Sequence, residues 1–155
     1  MPGILLLALS PACHLGEPAA GELRTDLDGL AARVVLPEDV REVRWMTQAA
    51  RVGKTGTGRA DARVFAWITT PSDETEWLTT TLGSPLGPRV HWVHDEVADV
   101  LFTEAERAAM QRNKPRETWK LGCVRYPAVS LGRGEYRGDV ALDCSGHLYV
   151  ALTAH

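Results

Sequence analysis

DARVFAWITT, Asp61 to Thr70, reads as a β-strand that is apolar on both sides. Side chains alternate across a strand, so Ala62, Val64, Ala66 and Ile68 fall on one face, and Phe65 and Trp67 stand with Arg63 and Thr69 on the other. Neither row suits open water, so the stretch calls for strands beside it and cover above and below. Immediately upstream, Val40 to Arg51 also alternates. Val43, Trp45 and Thr47 face one way and Glu42, Arg44 and Gln48 the other, which predicts a one-sided strand. Gly53 to Gly58 is a glycine-rich turn, so the two strands should pair antiparallel.

Working outward, Gly21 to Val34 places Leu23, Leu27, Leu30, Ala31 and Val34 at helical spacing and predicts a covering helix. Pro71-Ser72-Asp73 opens a second helix that Gly83 closes, with Trp77, Leu78 and Leu82 toward the sheet. From Val90 to Met110 the spacing of Val93, Val97, Val100 and Leu101 is again helical. Thr103-Glu104-Ala105-Glu106 reads as a capping box that starts a further helix. Alternation returns at Lys120 to Arg125, at Val140 to Cys144 and, after a Ser145-Gly146 turn, at Leu148 to Leu152. The expectation is one α+β domain over residues 21–155, with a mostly antiparallel sheet of four or five strands covered by two to four helices.

A chain of 155 residues, 45% hydrophobic, is long enough for one domain with its own core. Its net charge of −3 gives no overall basic field for nucleic acid or an anionic membrane, so no nucleic-acid partner is expected. No cofactor is expected either.

Four short motifs suggest chemistry. Gly53-Lys54-Thr55 matches the end of a phosphate-binding loop, but Gln48 stands where its first glycine belongs and no helix follows. Lys54-Thr55-Gly56 matches an element of penicillin-binding enzymes, yet no serine here has a lysine three residues later. His91 and His94 would share a face if they lay on a helix. Asp95, Glu96, Asp99, His147 and His155 are further donors for a metal, and a small metal-dependent hydrolase is the enzymatic alternative. Arg137-Gly138-Asp139 spells an adhesion tripeptide where a turn is expected before a strand. Of five tryptophans, Trp45, Trp67 and Trp77 fall on core faces, whereas Trp92 and Trp119 are candidates for a recognition surface.

Residues 1–16 carry no charge, and Ile4 to Leu9 is an unbroken apolar run too short to span a bilayer. With Ser10-Pro11-Ala12 and then Cys13, this start resembles the signal and lipobox of bacterial lipoproteins, although Ser10 replaces the usual leucine. Glu17 to Gly21 would be the connector, making residues 1–20 signal, lipid site and linker. Together with an arginine-rich, lysine-poor composition, the architecture is similar to that of small secreted proteins and lipoproteins of GC-rich Gram-positive bacteria. The resemblance implies that Cys13 carries lipid, which leaves Cys123 and Cys144, both in strand-like segments, to form a disulfide outside the cytoplasm. The alternative is a cytosolic domain in which Ile4 to Leu9 is a buried strand and the thiols are free. The expected function is a lipid-anchored, extracytoplasmic module that binds an unidentified macromolecule or envelope component without catalysis.

Overall fold

The computed structural model describes residues 21–49, 62–71 and 74–155. Among the described residues seven strands form one sheet: β1 (Glu42–Ala49), β2 (Ala62–Thr69), β3 (Gly87–His94), β4 (Gln111–Asn113), β5 (Thr118–Tyr126), β6 (Tyr136–Asp143) and β7 (His147–Ala154). Their order is β1-β2-β7-β6-β5-β3, with β4 on part of β5, and every pairing is antiparallel. The helices are α1 (Leu27–Ala31), α2 (Glu74–Leu82), α3 (Asp95–Leu101) and α4 (Glu104–Ala108), with a 3-10 turn at Val129–Leu131.

As its sequence requires, β2 lies between two strands and is buried on both faces. Val64, Ala66 and Ile68 enter one core with Trp45, Leu78 and Leu148, while Phe65 and Trp67 enter another with Met46, Leu101 and Tyr149. β1 is less one-sided than its alternation suggests, because Met46 joins the second core and Arg44 pairs with Glu106 of α4. The capping box is present, with the Thr103 hydroxyl accepting from the Glu106 amide at 3.2 Å. Gly83 closes α2 at φ +102°, a conformation open to glycine, and donates to Thr79 O at 3.0 Å.

Four expectations need correction. The sheet has seven strands, not four or five, because Gly87–His94 is a strand and Gln111–Asn113 adds a short one. The helix expected over Val90 to Met110 therefore begins only at Asp95. Val93 and Val97 satisfy a helical spacing, but β-branched and aromatic residues over 90–93 favour the pleated surface offered by β5.

The first helix contracts to five residues. Asp26 caps it by accepting from Gly29 N, and upstream the backbone of Arg24 exchanges hydrogen bonds with Trp45 of β1 (2.8 and 2.9 Å). Gly21 N also donates to Thr47 O at 2.7 Å, so residues 21–24 cover the outer edge of β1 and leave Leu23 and Leu27 exposed. Finally, Arg137-Gly138-Asp139 lies within β6 and not in a turn. Gly138 is buried so close to the Ala128 carbonyl that a Cβ could not fit, and Asp139 accepts from the Thr153 hydroxyl.

The sheet is unevenly joined. The ladders β1–β2, β2–β7, β6–β7 and β3–β5 each hold seven or eight residue pairs, but β5–β6 holds three, Val124↔Asp143 to Tyr126↔Ala141. A four-stranded body, β1-β2-β7-β6, thus carries a limb made of β3, β4 and β5. The sheet also curls: the His91 ring on β3 stands 5.4 Å from that of Tyr149 on β7, although β5 and β6 separate those strands in sheet order.

Candidate functional site

The limb gathers the chain's unusual surface features, beginning with the disulfide that secures it. Cys123 and Cys144 extend the short β5–β6 ladder by one position, and their sulfurs are bonded at 2.09 Å. The Cys144 amide donates to His147 O on β7, and Cys123 lies in the register that hydrogen-bonds toward β3. The two cysteines therefore occupy a non-hydrogen-bonded pair, the closer kind, and their Cα atoms are 4.8 Å apart. Both are half-buried and line an open groove of about 730 Å³ with Trp67, Arg89 and Met110.

On the concave side, a cavity of about 160 Å³ is lined by Gln48, Arg63, His91, Glu96, Asp139 and Tyr149 among others. Tyr149 is 1% exposed, with its ring tilted against that of His91 at 5.4 Å. Burial pushes its pKa up, so the phenol stays protonated as a donor. Burial pushes His91 the other way, below the ordinary imidazole range, and the nearby positive charges of Arg125 and His94 add to this.

The unfolded chain therefore binds this proton more tightly than the folded one. The neutral imidazole's contribution to stability is present above the unfolded pKa of 6.5 and is lost as pH falls through the lower folded value. Thermal unfolding at pH 7.5 and 5.5 should show a smaller acid-side drop for His91→Asn than for the parent; equal drops would contradict this. Asp26 and Asp95, held below the ordinary carboxylate range by hydrogen bonds from Arg24 and Arg112, lose their contributions in a more acidic window.

The histidine pair proposed for metal binding is not brought together. On a strand, positions three apart face opposite sides, so His91 turns into the concavity while His94 is exposed. Asp95 is engaged by Arg112 at 2.5 Å, and His147 stacks on Trp67 with ring centroids 4.7 Å apart. Among the described residues no group of three or more His, Cys, Asp or Glu side chains is placed to hold a metal. Cys13, the lipobox, Ile4 to Leu9 and the Gly53-Lys54-Thr55-Gly56 motifs lie outside the described residues.

The two tryptophans singled out for recognition part company. Trp119 is half-buried on the concave face with Arg112 over its ring at 5.7 Å, whereas Trp92 is 40% exposed on the outer face. Val90, on the same row of β3, is 52% exposed, and Pro88 beside it is exposed too. β3 is also an edge strand. Asp95 N donates to Glu117 O, which fixes the ladder's parity: odd-numbered positions bond β5, and the backbone of Val90, Trp92 and His94 points away from it. Among the described residues no turn, loop or cap hydrogen bond reaches the backbone of Val90 or Trp92, whereas the His94 carbonyl, at the N-cap of α3, belongs to that helix's first turn.

A feature that whole-chain composition concealed is the limb's charge. Residues 86–94 and 111–126 hold Arg89, Arg112, Lys114, Arg116, Lys120 and Arg125 against Glu117 alone, in a chain of net charge −3. Only Arg112 among these six makes an ion pair with a described residue. The run RNKPRETWK could have signalled this, but its relevance depends on β4 and β5 lying beside β3.

No helix among the described residues is long and apolar enough to cross a membrane. Comparison with protein-family models, curated proteins and solved structures found no match to this chain.

Proposed function

We propose that this protein is an extracytoplasmic binding module, tethered through lipid on Cys13, that acts by presenting the β3 edge to a macromolecular partner. The observation that carries the reading is the exposed row Val90 and Trp92 on a strand whose outer backbone is unpaired. Exposed edge strands are templates for association, and apolar side chains rimmed by charge are typical of a contact surface. The disulfide supports a location outside the cytoplasm, where such bonds persist. Catalysis is not part of the proposal.

A photo-crosslinking side chain placed at position 92 or 90, in protein expressed in its native host, tests this. It should yield a covalent adduct with one envelope component, while the same group at the exposed Glu38, on another face, should not. Equal labelling from all three positions, or none, would remove the reading. An intact mass of the same material without reductant should show lipid on Cys13 and two hydrogens lost at Cys123 and Cys144.

A further inference from the structure

Resting on the β3 edge as the binding surface, we infer the chemistry of its partner: an extended, acidic polypeptide segment that docks as an added strand beside β3. Two observations converge on it. The outward N–H and C=O groups of Val90 and Trp92, followed by the N–H of His94, repeat at the spacing of a polypeptide backbone. The cations surround this edge: Lys120 lies directly opposite Trp92, Arg89 lies within β3, and Lys114, Arg116 and Arg125 stand at the two ends of the limb.

That excess of positive charge selects a negatively charged guest and opposes a second copy, whose own limb would bring the same cations face to face. An oligonucleotide would meet the charge but offers no backbone to match the strand's donors and acceptors. Side chains on one face of the added strand would lie over the Val90 and Trp92 row, where an acidic one could reach Lys120, and acidic side chains on its other face could reach Arg89. Pro88 lacks an N–H, so pairing should run from Val90 toward His94.

The test uses the oxidised protein, labelled with nitrogen-15, and a ten-residue peptide alternating Glu with Thr or Val. Amide shifts should centre on Val90, Trp92 and His94, and binding should weaken by about tenfold or more between low and high salt as the charges are screened. N-methylating every second peptide amide should abolish binding in one register and leave it in the other, since only one set of amides faces β3. Lys120→Glu should weaken binding without altering the fold.

Shifts away from β3, or equal binding by both methylated peptides, would overturn strand addition. Preferential binding of an oligothymidylate, or self-association through β3, would overturn the choice of partner. If the peptide fails while position 92 still crosslinks one partner, the acidic-peptide inference falls and the binding-module reading stands; if both fail, so does that reading.

Discussion

Trp45→Ala should destabilise the protein by about 4 kcal/mol, in the range for deleting a large buried aromatic side chain. Trp45 is fully buried on β1 in the core shared by Leu30, Val34 and Ile68. Its indole N–H donates to Asp26 O at 3.0 Å, and the guanidinium groups of Arg24 and Arg33 lie 4.9 and 5.2 Å from its ring centroid. A Cβ at Gly29 would come within 2.8 Å of the same ring, which explains a glycine inside so short a helix. The side chain is thus the post around which residues 21–34 wrap. Urea unfolding of the variant should show the full loss, Trp45→Phe should recover part of it, and a cost below about 1 kcal/mol would mean that the wrap holds without its post.

Removing the disulfide, by reduction or as Cys123→Ser with Cys144→Ser, should cost about 3 kcal/mol, the scale expected for a closed loop of this size. The separation is 21 residues. The loss should be uneven in space. With three ladder pairs left between β5 and β6, amides of Val93 and Leu121 on the limb should exchange with solvent faster, while Ala66 and Val150 in the body remain protected. Because both sulfurs line an open groove, a dithiol should reduce the native protein by exchange, leaving two protein thiols and the oxidised reagent. Hydrogen exchange that rises equally in limb and body would show that the seam is not where the sheet gives.

The body of the fold was legible because its evidence is local. In β2 the alternation is apolar on both faces, and the two cores it predicts are present, with Trp67 and Ile68 on opposite sides. β3 was not legible, since Val93 belongs both to a strand face and to a helical series continued by Val97 and Leu101. What decides between them is the long ladder to β5, a partner about thirty residues away. Leu23 and Leu27 misled for the same reason: their spacing suits a helix, but the backbone at Arg24 is claimed by Trp45. Of the candidate site, Trp92 could be singled out from its residue type, and the Cys123–Cys144 bond followed from the lipoprotein resemblance. The basic limb could not be recognised, because a total charge says nothing about which segments fold side by side.

The two borders of the sheet differ, and that limits stoichiometry. On β1 the chain's own residues 21–24 engage the outward backbone of Trp45 and Thr47, whereas the outward backbone of Val90 and Trp92 on β3 has no such cover. A guest strand accepted at β3, as proposed, would find Trp45 and Thr47 of β1 already engaged, so a single equivalent per molecule is the expected stoichiometry and β1 is hindered from relaying growth.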